Sequence, residues 1–158
     1  MICHRSFLAP LPSPAPLYCS WYENSKGLFN TPPCYTIYVM GLVLKWVKSK
    51  GALPWLEGMA RARSEMIYDL MQEGGEWGYY TCPVNSMCRS RVNVPFSLPT
   101  PALELEFLHG AGARGLVDLA GHRAVGGCRA SMYTGMPLEG VRALRDYMID
   151  FRDEHPWP

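Results

Sequence analysis

Lysine is scarce in this chain: four in 158 residues, at positions 26, 45, 48 and 50. Basic and acidic residues nearly balance, and the net charge is +1 at neutral pH. With no basic run either, no electrostatic footprint for nucleic acid or an anionic membrane is implied. The six cysteines (Cys3, Cys19, Cys34, Cys82, Cys88 and Cys128) form no C-x-x-C pair, and the four histidines lie far apart. That pattern argues against a zinc site, and no metal ligands are assigned. A disulfide framework is not expected in a chain this long without a secretory signal, so reduced cysteines in a cytoplasmic protein are the expectation. No stretch reaches the roughly 18 apolar residues of a membrane span. Near the N-terminus Pro10, Pro12, Pro14 and Pro16 interrupt the apolar residues, which therefore read as neither signal peptide nor anchor.

Apolar residues make up 48% of the chain, enough for one core of ordinary domain size. Residues 1–23 read as a proline-rich, disordered or loosely extended tail, and residues 24–158 as the folded part. Thr31 is a suitable N-cap with Pro32 and Pro33 in the first turn, and a helix is expected from there to about Lys50. Its apolar residues fall on nearly every face, which predicts burial on more than one side. A second helix is expected from Pro54 to Glu73, ended by Gly74-Gly75. Its stripe is Leu56, Met59, Ala60, Met66, Ile67, Leu70 and Met71.

Strands are expected at Trp77–Cys82 and Arg91–Leu98, paired across the loop between them, with Pro95 marking an edge or a break. A short helix should open at Thr100-Pro101 and end near His109, before the glycines at 110, 112 and 115. Two more strands, Leu116–Ala120 and Cys128–Tyr133, precede a last helix from Pro137 to Asp153. Its buried face is Leu138, Val141, Leu144, Met148 and Phe151. The order suggests helices packed on one small sheet.

The chemistry concentrates in Gly121-His122-Arg123-Ala124-Val125-Gly126-Gly127-Cys128-Arg129-Ala130-Ser131. Arginine presents a planar fork that grips a carboxylate or phosphate in bidentate fashion. Gly126 and Gly127 allow a bend that could aim Arg123 and Arg129 at one small dianion, with His122 as a further donor. The same spacing also suits a plain glycine turn carrying two solvated arginines. Asn30 and Thr31 likewise admit two readings, an anion site at a helix N-terminus or a turn and cap.

This stretch resembles the substrate-anion segment of the phosphoserine aminotransferase family, G-H-R-x-V-G-G-x-R-A-S, with every fixed position filled. Phe29–Pro33, Tyr38–Val43, Arg89–Phe96 and Met136–Val141 resemble the same family in its order, and the similarity runs from about Asn24 to His155. Cys88 and Val92 depart from the expected Asn and Met, and the loop at Leu98–Pro101 is abbreviated.

The resemblance implies an α/β fold, the small C-terminal domain of a fold-type I, class-V enzyme dependent on pyridoxal 5'-phosphate, with the large domain mostly absent. It implies that Arg129 holds the substrate α-carboxylate. His122 and Arg123 would hold the distal phosphate of phosphoserine or the side-chain carboxylate of glutamate. Asn30 and Thr31 would reach the cofactor phosphate of the neighbouring subunit in a homodimer. No lysine lies in a segment like the family's Schiff-base segment, so no catalytic residue is assigned. The chain reads as a truncated form that does not hold the cofactor or turn over alone. The alternative is a non-catalytic isoform or interaction module that binds full-length subunits or a small dianion.

Overall fold

A computed structural model describes residues 25–28, 30–73 and 78–156. The expected tail at 1–23, Trp77 and the helix stop at Gly74-Gly75 lie outside them. The chain divides into two compact units, residues 1–46 and 47–158.

In the first unit, Leu28 N–H donates to the Ser25 carbonyl at 3.0 Å across a tight turn. Lys26 and Gly27 both take left-handed backbone angles there, φ 54° and 79°, the pattern of a type I′ turn. The first helix, α1 (Cys34–Ser49), starts later than expected. Proline pushes the residue before it toward extended backbone, so Thr31 and Pro32 are both excluded from the helix. The first helical bond runs from Ile37 N–H to the Pro33 carbonyl, 3.0 Å. Thr31 is therefore not the cap. No α1 residue is buried, and Tyr35 and Leu44 are 80% and 61% exposed. Composition gives this helix its demand for apolar neighbours and does not supply them.

Gly51 (φ 114°) breaks the chain before α2 (Ala52–Gln72). Its buried residues are Arg63, Ser64, Ile67, Tyr68, Leu70 and Met71. The first half of the expected stripe, Leu56, Met59 and Ala60, is only half-buried.

The sheet is two antiparallel strands, β1 (Asn93–Phe96) and β2 (Cys128–Ser131), in the register Asn93–Ser131, Val94–Ala130, Pro95–Arg129 and Phe96–Cys128. Alternation sends Val94, Phe96, Cys128 and Ala130 into the core and leaves Asn93, Pro95, Arg129 and Ser131 half-buried on the opposite face. The expected pairing of the first two strands shrinks to a single Thr81–Ser97 bridge. Two prolines explain it. The next rungs on that side would use the N–H groups of residues 95 and 99, and both are proline. The expected strand at Leu116–Ala120 also reduces to one bridge, Ala120–Cys128.

Between the strands, α3 runs Pro101–Ala113. Thr100 caps it, its hydroxyl accepting from Leu103 N–H at 3.2 Å. It passes the expected stop near His109 because packing outweighs glycine's poor helix propensity. A Cβ at Gly110 would lie 2.6 Å from the Tyr147 hydroxyl, which donates to the Phe107 carbonyl at 2.8 Å. The helix ends on Gly115 (φ 78°), with Leu116 N–H closing back on the Ala111 carbonyl at 2.9 Å, a Schellman stop.

The last helix, α4 (Leu138–Glu154), buries Val141, Leu144, Tyr147, Met148 and Phe151. It packs against α2, and α2 packs against β1. Phe107 sits at the centre of the core. Its ring lies 4.8 Å from Tyr147, 5.2 Å from Phe151, 5.8 Å from Phe96 and 6.1 Å from Tyr80.

Replacing this wholly buried ring, Phe107→Ala, should cost about 3–5 kcal/mol in urea denaturation. A loss under about 1 kcal/mol would remove Phe107 from its central role. Burial also pushes the Cys128 thiol up to about 12, whereas Cys34 and Cys88 are exposed. Iodoacetamide at pH 8 should modify Cys34 and Cys88 and spare Cys128 until the protein is unfolded, as read by peptide mass spectrometry.

Candidate functional site

The glycine-rich stretch forms a closed loop between the Ala120–Cys128 bridge and β2. Gly121 N–H donates to the Gly127 carbonyl at 2.8 Å. Inside the neck, the His122 carbonyl accepts from both Val125 N–H and Gly126 N–H, each at 2.8 Å. Gly126 and Gly127 are left-handed, φ 81° and 67°. A Cβ on Gly121 would be driven into the Gly126 carbonyl, so the neck closes only around glycine.

His122 and Arg123 open the turn and are exposed. Ala124 N–H donates to His122 Nδ1 at 3.2 Å. With Nδ1 accepting, the neutral ring carries its proton on Nε2, where it can donate to an anion. Arg129 lies just beyond the neck, its own N–H donating to the Leu119 carbonyl at 2.7 Å. Its side chain is on the half-buried face of β2, opposite Pro95. Its Nε is buried without a hydrogen-bond partner. Leaving such a donor unmet costs about 1–3 kcal/mol, more when the group is charged. The structure thus gathers His122, Arg123 and Arg129 on one loop-and-strand element.

Asn30 and Thr31 belong to the other unit, exposed ahead of α1. Pro32 and Pro33 lack N–H groups, and Cys34 N–H donates to the Pro32 carbonyl at 2.8 Å.

Four further residues bear on the site. Asn93 shares the sheet face of Arg129, and its Oδ1 is also buried without a partner. In the sequence it was legible only as one polar position in an alternating strand. Arg63 is 2% exposed. Its Nη1 donates to the carbonyls of Tyr133, Thr134 and Met136 at 3.2, 3.2 and 2.6 Å, pinning the turn from β2 to α4. Burial lowers its pKa from the ordinary arginine value. The only sequence sign of it is a charge inside an apolar stripe. Arg89 lies 4.7 Å above the Tyr68 ring, and Arg91 pairs with Glu57 at 3.1 Å, so both have structural contacts.

A cavity of about 430 Å³ lies between the 115–119 segment, the end of β2 and the start of α4. Leu116, Leu119, Met132, Val141 and Leu144 line it, and none of the expected site residues does. Among the described residues no cluster of three or more metal-type ligands gathers, and no helix is long and apolar enough to cross a membrane.

The aminotransferase class-V family model matches residues 15–144, starting ahead of the boundary expected near Asn24. The phosphoserine aminotransferase of Nitrosomonas europaea is 46% identical over 143 residues, 90% of this chain and 38% of that protein. That of Acidithiobacillus ferrooxidans is 44% identical over 134 residues, 85% of this chain and 36% of that protein. Among solved structures, phosphoserine aminotransferase from Bacillus circulans subsp. alkalophilus superposes with a TM-score of 0.86 at 36% identity, covering 95% of this chain and 42% of that one. The pyridoxal-phosphate-bound enzyme from Trichomonas vaginalis gives 0.73 at 28% identity, covering 81% and 36%. The chain thus spans about two fifths of the length of the proteins it resembles. The family match takes in well over half of the chain, from the N-terminal region through the closed glycine loop and β2 into the last helix, and the chain belongs to the class-V aminotransferases.

Proposed function

We propose that this chain is the substrate-anion end of a phosphoserine aminotransferase, the activity that exchanges an amino group between phosphoserine and 2-oxoglutarate in serine biosynthesis. The observation that carries the reading is Arg129: a half-buried guanidinium on a strand, its Nε lacking a partner, beside a loop that only glycine can close. Phosphoserine and glutamate each carry two separated anionic groups. Arg129 takes the α-carboxylate, and His122 Nε2 and Arg123 take the distal phosphate or carboxylate. Gripping both ends fixes the amino acid about its Cα, the orientation that a proton transfer there requires.

Pyridoxal 5'-phosphate, when bound, supplies the electron sink for transamination. This chain's residues fit only its phosphate, through the Asn30 amide and the Thr31 hydroxyl, in the cytoplasmic homodimer of the family reading. All four lysines are exposed, three at the end of α1 and its exit and one in a turn. None is enclosed in a pocket that would hold an imine. The chain binds and orients, and it does not supply the nucleophile.

A second reading has one observation in its favour. The apolar, unburied faces of α1 suit a partner, and a full-length aminotransferase subunit is the partner of matching kind. Purified enzyme retained by the tagged chain would support it, and no retention would remove it.

Titration with O-phosphoserine, followed by NMR, should shift the side-chain signals of His122, Arg123 and Arg129. Arg129→Gln should weaken binding about tenfold or more, the loss of one charge-assisted hydrogen bond. No response at these residues would overturn the site. Incubation with pyridoxal phosphate and borohydride should leave no stoichiometric adduct. One trapped on a single lysine would show that an imine-forming site exists here.

A further inference from the structure

A second cavity, of about 440 Å³, lies between the first half of α2, the residues ahead of β1 and the exit from β2. Sites for small molecules typically measure about 300–1,000 Å³. Leu53, Leu56, Ala60, Val92 and Met132 give it apolar walls, and Glu57, Arg63, Arg91 and Thr134 are its polar members. None of His122, Arg123 and Arg129 lines it.

Arg63 is the unusual member. It is 2% exposed, and burial alone displaces its pKa, downward, with no carboxylate beside it to offset the cost. Its Nη1 is spent on three carbonyls of the turn after β2. Its Nε is buried and meets no acceptor. In a guanidinium, Nε and Nη2 share the edge turned away from Nη1, and that edge matches the two oxygens of a carboxylate. Glu57, the acid on the same wall, is committed elsewhere, to Arg61 at 3.2 Å and Arg91 at 3.1 Å. Two cations and one anion thus line the cavity and leave one positive charge to balance. A buried charge is satisfied by a counter-charge that also supplies its missing hydrogen bonds.

We propose that this cavity binds a small amphiphilic monocarboxylate, its head on the Nε edge of Arg63 and its hydrocarbon body along Leu56, Ala60, Val92 and Met132. The assignment does not rest on the substrate reading of Arg129. The wall discriminates against other classes of ligand. A dianion such as O-phosphoserine brings more negative charge than the wall balances and sets it near the Glu57 carboxylate. A neutral apolar molecule fills the walls and leaves Arg63 Nε unmet.

The test uses octanoate and the full chain, with calorimetry for affinity and ¹⁵N NMR of Arg63 Nε–H and the Val92 and Met132 amides for location. Octanoate should bind saturably and shift those signals, leaving His122 and Arg123 unmoved. Octanol, with the same tail and no charge, should bind roughly tenfold more weakly, the factor that one charge-assisted hydrogen bond carries. Hexanoate, two methylenes shorter, should also lose about tenfold. Arg63→Gln should bring octanoate down to the affinity of octanol.

Because Arg63 also pins the turn, Arg63→Gln has a companion should it not fold. Ala60→Met keeps a good helix former, fills the cavity and should weaken octanoate severalfold with the urea midpoint unchanged. Equal affinities for octanoate and octanol overturn the proposal, as does octanoate binding that Ala60→Met leaves intact. Shifts confined to α1 overturn it too, since they mark adsorption on its exposed apolar surface. Displacement of octanoate by O-phosphoserine would merge this cavity with the Arg129 site and end its claim to be separate. Octanoate binding in a chain that ignores O-phosphoserine upholds the cavity and defeats only the substrate reading.

Discussion

The antiparallel register of β1 against β2 is the constraint on which both the core and the site depend. Period-two alternation makes one face of the pair apolar and the other polar, and a slip of one residue would exchange them. In the observed register Val94, Phe96, Cys128 and Ala130 meet the aromatic cluster around Phe107, and Arg129 is delivered to the opposite face beside Asn93. Two devices hold the register. The closed loop at Gly121–Gly127 fixes where β2 begins. On the far side, Pro95 and Pro99 restrict pairing to a single rung, so β1 is not drawn into an extended ladder with the 79–82 segment.

Much of this was legible from residues whose meaning is local. Thr100-Pro101 announced the start of a helix, and Gly126-Gly127 announced a bend, because each acts through its own backbone. The seam of α4 followed from helical spacing. Arg129 is singled out as the proposed anion ligand because its motif carries the resemblance.

Thr31 fails as a cap for a local reason, the two prolines that follow it; the other failures concern partners distant in sequence. Gly110 looks like a helix breaker until the Tyr147 hydroxyl is seen against it. The stretch at 77–82 reads as a strand until the rungs it needs fall on prolines. Arg63 carries no pattern of its own, since it is defined by three carbonyls some seventy residues away. The helix α1 shows the complementary case. Its sequence states that it belongs in apolar surroundings, and the described chain leaves it unburied. The relatives, more than twice as long, mark how much of the family fold lies beyond this stretch.

The Arg63 clamp distinguishes two kinds of anchor in the same unit. The Glu57 carboxyl is held below its usual range by the Arg91 and Arg61 guanidiniums. Contacts of that kind are in force above the unfolded carboxyl's own titration range and are surrendered as acid protonates the folded carboxylate. Arg63 is bound only to backbone carbonyls, which have nothing to titrate, and burial lowers its own pKa from an ordinary arginine value that acid does not approach. The turn that carries the chain from β2 into α4 is therefore fastened by an acid-indifferent joint, and souring the medium loosens the surface before it reaches that turn.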